Sequence, residues 1–382
     1  MTPTAPRARR KTALTAGALL VASITFCGGG VAIGSDRASS RRHLDIRLFA
    51  RVPSPGFPAN AAVAPDGKVY VATYSNPRPD TTPSSLFAFS HAGALLRRYV
   101  IHGQQVSQTH GGSAAAVDAK GIVYVLDQAP PRVLALDPRT GSQRVYARLH
   151  DVPVCSTTTN KSDCSATTTD AASSPDFAAF APDGALYITD FQQGLIWKVK
   201  RGGGDARVWY ANPLLDGGPI TGPAGIQFKA DGRTLVFSVF SNLGAGQATN
   251  PTTGKLYALT IGAHGQPGAL RKLWESRPGD LPDGFALARS GHIYVALTGA
   301  NQLVEVAADG TEIARVPPTP VDNALMPIPF DEPGGVTFDG DRLLVTNISY
   351  LAANPSSWAV YDVFAGEPGV PLFRPSLGRT AR

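Results

Sequence analysis

Oxygen-bearing side chains recur beside prolines where short apolar runs begin in this sequence. They are Asn60 in Phe-Pro-Ala-Asn, Asp176 in Ser-Pro-Asp, Asp283 in Leu-Pro-Asp and Glu332 in Asp-Glu-Pro. Carboxylate and amide oxygens that converge at one end of a fold suit a hard divalent cation, so we predict these four residues as metal ligands. Ca²⁺ is the first expectation, with Zn²⁺ and Mn²⁺ as alternatives. Each residue alone would serve equally well to cap a turn through its own backbone.

Hydrolysis is the chemistry that such a site would serve, because a bound cation polarises a carbonyl and activates water. We predict Asp283, Asp176 and His110 as catalytic residues, with Asp176 or His110 as the base. The sequence has no G-x-S-x-G nucleophile motif, no H-E-x-x-H zinc motif and no P-loop. These absences argue against serine hydrolases, zinc proteases and P-loop nucleotide hydrolases.

A repeated pattern of two short apolar strands joined by a tight turn must position these residues. Most copies carry Gly in the turn, commonly as Asp-Gly. The six copies occupy residues 57–73, 110–127, 174–190, 222–238, 281–297 and 332–347. Two further strand-like segments follow each copy, which makes about four strands per repeat. A period of this length with four strands predicts an all-β, six-bladed β-propeller with four antiparallel strands per blade.

The first and last strand-like segments of the chain are expected to complete the ring. Residues 370–374 are expected to form the fourth strand of the last blade. An additional strand-like segment, 46–52, precedes the first repeat and should pair with the last blade to close the ring. We place the propeller at 46–375, followed by a disordered tail at 376–382.

Strand alternation assigns the long insertions to one face of the ring. If each innermost strand runs from a top face to a bottom face, the connections 74–84, 150–174, 212–221, 240–254 and 317–331 all lie on top. The prolines with their polar neighbours lie at the same end, around the mouth of the central channel. Binding residues commonly lie on such loops. We therefore expect a small-molecule or carbohydrate-like ligand at the channel mouth.

The basic charge of the chain belongs to its N-terminal part. The net charge is +6, from 35 Lys and Arg against 29 Asp and Glu. Residues 1–51 contain nine of the basic and two of the acidic residues, so the rest carries 26 basic and 27 acidic residues. A folded part with no excess of positive charge is not expected to bind nucleic acid.

The N-terminal residues predict export. A basic segment at 7–11 precedes an uncharged run at 12–34, which is typical of a signal peptide or of an N-terminal membrane anchor. A polar linker follows at 35–45. Cys155 and Cys164 are expected to form a local disulfide, which agrees with an exported protein, secreted or associated with the cell envelope. We expect a monomer that meets a membrane only through this N-terminal segment.

The repeat of Pro-x-Gly, apolar strand, Asp-Gly turn and Tyr-Val strand resembles the SMP-30/gluconolactonase/LRE-like family. NHL-type and strictosidine-synthase-like propellers are its neighbours, and the resemblance covers about residues 57–373. It implies a divalent cation at the channel mouth, held by Glu, Asn and Asp in members that hydrolyse sugar lactones. Asp283 matches the family's Asp. The first repeat has no carboxylate at the Glu position, and Ala224 stands at the Asn position. A non-catalytic propeller that binds a sugar, peptide or protein is the alternative.

Overall fold

The computed structural model describes residues 41–74, 76, 80–155, 163–218, 221–241 and 253–377. They form six four-stranded antiparallel sheets arranged as the blades of a β-propeller, as the sequence predicts. The 3₁₀ helix Pro213–Leu215 and the α-helix α1 (Pro320–Ala324) are the helical elements in these ranges. No helix among them is long and apolar enough to cross a membrane. The predicted signal segment at 1–34 lies outside the described residues.

The first three blades follow chain order from the innermost strand outwards. Their strands are β2 (Pro58–Val63), β3 (Val69–Thr73), β4 (Ser85–Phe89) and β5 (Leu95–Val100); β6 (Gly112–Val117), β7 (Val123–Gln128), β8 (Pro131–Leu136) and β9 (Gln143–Arg148); and β10 (Pro175–Phe180), β11 (Leu186–Asp190), β12 (Leu195–Val199) and β14 (Arg207–Ala211). A two-residue strand, β13 (Gly204–Asp205), adds a parallel edge to β9.

The last three blades repeat the arrangement, with one exchange at the end. Their strands are β15 (Pro223–Phe228), β16 (Thr234–Val239), β17 (Lys255–Ile261) and β18 (Pro267–Glu275); β19 (Pro282–Leu287), β20 (Ile293–Leu297), β21 (Gln302–Val306) and β22 (Glu312–Val316); and β23 (Pro333–Asp339), β24 (Arg342–Asn347), β25 (Ala359–Phe364) and β1 (Ile46–Arg51). The N-terminal strand thus completes the sixth blade and closes the ring.

The prediction of a fourth strand at 370–374 was wrong. β1 occupies that position, paired antiparallel with β25 from Ile46 opposite Val363 to Arg51 opposite Ala359. The C-terminal segment contains Pro368, Pro371 and Pro375, and a proline has no N–H to donate to a neighbouring strand. The segment instead passes beneath the ring, where the Val370 amide donates to the Leu287 carbonyl and the Arg374 guanidinium donates to the carbonyls of Val63 and Val117.

Apolar side chains pack between neighbouring blades and hold the ring together. Tyr124 of β7 contacts Tyr146 of the same blade and Phe180 of the next blade edge to face, with ring centroids 4.9 and 5.0 Å apart. Trp197 is fully buried, and its indole N–H donates to Asp190 at 2.8 Å. The predicted disulfide between Cys155 and Cys164 is present in the connection between β9 and β10.

Each innermost strand departs from regular pairing near its beginning. In five blades the register shifts within three residues of the first proline, as between Pro175 and Ala178. A hydroxyl from the second strand fills the gap in the third blade: Thr189 accepts from the Phe177 amide at 3.1 Å and lies 2.6 Å from the carbonyl oxygen of Ala224 in the next blade. Thr346 contacts Gly335 and Ala59 in the same way. The shifts therefore fall where the predicted site residues lie.

Candidate functional site

Two buried carboxyl groups lie at the top ends of the innermost strands. Asp176 is the second residue of β10 and Asp283 the second residue of β19, with 7% and 9% of their surfaces exposed. In the described part of the chain neither makes an ion pair with a Lys, Arg or His. Burial raises the pKa of Asp283 to about 7. Burial also raises the pKa of Asp176 well above its usual value, and the charges of Asp283 and Asp190 raise it further.

Hydrogen bonds offset little of the free-energy cost of burying the Asp283 carboxyl group. One oxygen of Asp283, Oδ1, is buried without a hydrogen-bond partner among the described residues. Its other oxygen lies 3.5 Å from the hydroxyl of Thr298, which has a shorter contact of 2.8 Å with the Pro333 carbonyl. A hydroxyl has a single proton to donate, so the carboxyl group gains little from it.

The blade between the two acids contributes only small side chains at the same level. Ala224 of β15 is fully buried, and a Cβ at the next residue, Gly225, would lie 2.9 Å from the carbonyl oxygen of Asp283. The backbones of β15 and β19 therefore approach closely here. Ala224 supplies no ligand, so Asp176 and Asp283 are the charged groups that the third and fifth blades direct to this site.

Aromatic and amide side chains at or just beyond the ends of three second strands complete the mouth. Tyr74 follows β3, Gln128 ends β7 and Tyr350 follows β24. Burial raises the pKa of the Tyr74 phenol well above its usual value, the Asp176 and Asp283 charges raise it further, and a hydrogen bond with Gln128 opposes the rise. The rings of Tyr74 and Tyr350 meet edge to face with centroids 6.0 Å apart. Sequence reasoning did not single out these three residues, although the loop containing Tyr74 was placed on this face.

Asn60 and Glu332 are engaged with the backbone. The Asn60 side chain donates to the Ala114 carbonyl at 3.2 Å and accepts from the Ala61 amide at 2.9 Å. A Glu332 carboxylate oxygen accepts from the Leu351 amide at 2.7 Å, and burial raises the pKa of that group. Their assignment as metal ligands remains a prediction, and the oxygens of both residues already have backbone partners.

His110 is held by two backbone carbonyl groups. Its Nδ1 lies 2.8 Å from the Gln108 carbonyl oxygen and its Nε2 lies 2.8 Å from the Thr82 carbonyl oxygen. The ring is buried, and its nearest carboxylate is Asp80 at 4.0 Å. The predicted role of His110 as a base stays a prediction; in this arrangement both ring nitrogens are occupied.

Phe177 and Phe285, which follow the two acids along their strands, lie below them in the channel. A Cβ at Gly284 would come within 2.9 Å of the Phe177 ring, so that ring reaches across the channel to the fifth blade. Beneath the two rings is a cavity of about 70 Å³, closed from below by Leu372, Phe373 and Arg374. Among the described residues, the two rings and the C-terminal segment therefore form a floor beneath the acidic site.

The residues present fit a divalent cation. Among the described residues, the two carboxyl groups have raised pKa values and no basic partner, and Oδ1 of Asp283 is buried without a hydrogen bond. This leaves a deficit of positive charge, which a proton or a cation would fill. Asp283 is the residue that would hold the cation, and Asp176 is the second carboxyl group whose charge acts at the same place.

The comparisons with known proteins identify the family. The profile of the SMP-30/gluconolactonase/LRE-like region matches residues 106–329, more than half of the chain. The chain belongs to this family. The resemblance inferred from the repeats is thus confirmed. No curated protein matches the chain significantly.

Solved structures of similar proteins show the same propeller at low sequence identity. A gluconolactonase from Xanthomonas campestris has a TM-score of 0.52 at 15% identity, covering 84% of this chain and 88% of its own. The calcium-binding protein regucalcin from Agrobacterium tumefaciens scores 0.57 at 19%, with 88% and 98% covered. The PQQ-bound aldose sugar dehydrogenase of Streptomyces coelicolor scores 0.54 at 15%, with 84% and 98% covered. At these identities the likeness extends to the fold alone.

Proposed function

We propose that this member of the SMP-30/gluconolactonase/LRE-like family is a divalent-cation-dependent hydrolase of lactones or related esters. The observation that carries the proposal is the pair of buried carboxyl groups, Asp176 and Asp283, which have no basic partner among the described residues and lie at the top of the channel. Membership of the family and the gluconolactonase and regucalcin folds support it.

The protein's own groups would handle the proton. A cation bound by Asp283 would polarise the ester carbonyl and lower the pKa of a water molecule. Asp176, whose raised pKa brings proton exchange towards neutral pH, accepts the proton from the attacking water and returns it to the alkoxide that leaves when the ring C–O bond breaks. His110 is the weaker candidate for this step because both of its ring nitrogens already contact carbonyl oxygens.

Turnover of a lactone panel tests this proposal. The protein is stripped with a chelator and assayed with added Ca²⁺, Mn²⁺ or Zn²⁺, alongside the variants Asp176→Asn and Asp283→Asn. We expect cation-dependent turnover that falls by about 10²-fold or more in either variant, since general acid–base groups contribute about 10²–10⁴-fold.

Asp183→Asn is the matched control, because Asp183 is an exposed residue in the bottom turn of the third blade. It should retain wild-type turnover. If none of the three cations produces turnover of any lactone or raises the melting temperature, the proposal is wrong.

The aromatic pair at the mouth favours one other function, non-catalytic binding of a carbohydrate-like ligand. Tyr74 and Tyr350 place two rings beside amide and carboxyl groups, and apolar faces with a few polar groups are typical of small-molecule sites. In that case Tyr350→Ala should abolish sugar binding in calorimetry while Asp283→Ala leaves it largely intact. A hydrolase would instead lose its turnover when Asp283 is replaced.

Export is part of the proposed function. We infer that residues 1–34 direct the chain out of the cytoplasm, either as a cleaved signal or as an anchor, and the disulfide between Cys155 and Cys164 supports this. N-terminal sequencing of protein recovered from the medium should begin after Gly34 if the signal is cleaved. Recovery of the intact chain from the cytoplasm alone would contradict export.

A further inference from the structure

A second group of ligand-type side chains lies at the bottom of the ring, away from the acidic mouth. His292 precedes β20, Glu305 lies near the end of β21, and Glu367 follows β25 in the C-terminal segment. One ligand atom from each lies within 4.8 Å of the others. The fold brings together three segments here that are distant along the chain.

Strand register accounts for part of this convergence. Tyr294 lies directly opposite Glu305 in the β20–β21 ladder, and His292 is two residues before Tyr294, on the same face. Nδ1 of His292 is 2.9 Å from Oε1 of Glu305 and 3.1 Å from Oε1 of Glu367. The Tyr294 hydroxyl lies 3.0 and 2.7 Å from the same two oxygens.

The cluster contains more acceptors than donors. Tyr294 has one hydroxyl proton for two carboxylate oxygens. Nδ1 of His292 is buried, and despite its short contacts it makes no hydrogen bond in this part of the structure. Glu305 is only 2% exposed, so water cannot readily supply the missing donor. A cation between the three ligand atoms would satisfy all of them.

We propose that His292, Glu305 and Glu367 form a Zn²⁺ site. Zinc bonds of about 2.0–2.2 Å in tetrahedral geometry separate neighbouring ligand atoms by about 3.3–3.5 Å, so the observed contacts need to open by only a few tenths of an ångström. One imidazole nitrogen with two carboxylate oxygens suits Zn²⁺ better than Ca²⁺ or Mg²⁺, which take oxygen ligands. The Tyr294 oxygen or a water molecule occupies the fourth position.

The surrounding groups fit a structural role for this ion. Nε2 of His43 lies 2.7 Å from Oε2 of Glu305 and orients that carboxylate. His43 belongs to the segment before β1, and Glu367 to the segment after β25. An ion at this point joins both ends of the described chain to the fifth blade, so its binding stabilises the closed ring.

Zinc binding in the background of Asp283→Asn tests the proposal, because this substitution disables the mouth site. Equilibrium dialysis with metal analysis should find one Zn²⁺ per chain, and the melting temperature should rise by a few degrees with Zn²⁺. Adding His292→Asn or Glu367→Gln should weaken binding by more than tenfold and abolish the shift. His43→Gln should weaken it less, since it leaves all three ligands in place.

His91→Asn is the matched control, because His91 is another bottom-face histidine beside a carboxylate, with Nδ1 3.1 Å from Asp339. It should bind Zn²⁺ like the parent. Near-UV circular dichroism verifies the fold of each variant. The proposal is overturned if the Asp283→Asn parent binds no Zn²⁺, or if the folded His292 and Glu367 variants bind it with the parent's affinity.

Discussion

Asp176 and Asp283 make the stability of the protein depend on pH, because burial favours their protonated carboxyl groups in the folded state. The pKa of Asp283 is about 7 against a usual value of 3.8. An acid whose pKa rises on folding binds its proton more tightly when folded. Its effect on stability is therefore most favourable below about pH 4, is lost as pH rises from 4 to 7, and is constant above 7.

Asp283→Asn should thus stabilise the protein at pH 8 in the presence of a chelator. We expect a gain in the free energy of unfolding on the order of a few kcal/mol, which shrinks as pH falls below 7 and approaches zero near pH 4, since the amide carries no charge to desolvate. Urea titrations at pH 5 and pH 8 measure this difference.

Asp183→Asn, on the exposed turn, should show the same difference from wild type at both pH values. Added Ca²⁺ should narrow the gap at pH 8 by stabilising the wild type alone. A variant no more stable than wild type at pH 8 would mean that the carboxylate has a partner.

The sequence predicts where these two acids lie, but not which hydrogen bonds their oxygens make. The Pro-Asp pair and strand parity together placed Asp176 and Asp283 at the top of the third and fifth repeats. Which oxygen lacks a donor depends on neighbours such as Thr298 and Pro333, which come from different strands and loops. His292 shows the same limit: its contact with Glu367 depends on the path of the segment after β25, which no pattern in either segment predicts.

Where the innermost strands shift out of register with the second strands, side-chain hydroxyl groups hold their backbone in place. Thr189 contacts the Phe177 amide and the Ala224 carbonyl, Ser238 donates to the Asp283 carbonyl, and Thr346 contacts the Ala59 carbonyl. Each hydroxyl links its own blade to the next around the ring. The backbone that carries the acids is therefore fixed by residues of the second strands.

Thr189→Val should destabilise the propeller by about 1–3 kcal/mol, because the shape is kept while a buried amide and a buried carbonyl lose their partner. Thr260→Val is the control. Thr260 also bonds the backbone, with the Ala269 amide at 2.8 Å, but it is exposed, so water can replace it and the loss should stay below about 1 kcal/mol. Urea unfolding of both variants makes the comparison; equal losses would contradict the role given to Thr189.

The sixth blade shows why strand patterns alone did not settle the ring closure. Residues 46–51 and 370–374 both read as short apolar strands, and a blade has room for one outer strand. Two features decide which segment becomes the outer strand. Prolines in the C-terminal segment lack the N–H groups that strand pairing needs, and residues 46–51 pair with β25 along their length. Such competition between distant segments is not encoded in either segment by itself.

The whole molecule is a ring closed by its N-terminal strand and covered below by its C-terminal segment. Arg374 lies within this cover, donating to Val63 of the first blade at 2.6 Å and to Val117 of the second at 3.3 Å. No carboxylate of the described residues pairs with it, and burial lowers its pKa. Its stabilising contribution therefore comes from these two carbonyl bonds, made at the cost of desolvating its charge.

Arg374→Met should lower the free energy of unfolding by about 1–3 kcal/mol, since two carbonyl oxygens in the channel lose charged donors while the aliphatic stem remains. Arg207→Met, on the exposed edge of the third blade, should change it by less than about 0.5 kcal/mol. Thermal and urea unfolding measure both. An Arg374→Met protein as stable as wild type would mean that the segment does not hold the bottom of the channel.

The covered channel also limits how a long ligand could enter. Because Leu372, Phe373 and Arg374 close the lower end, whatever occupies the mouth must arrive and depart by the same opening. A polymer therefore cannot thread through the ring past this segment, and a product formed at the mouth must leave on the side from which its substrate came.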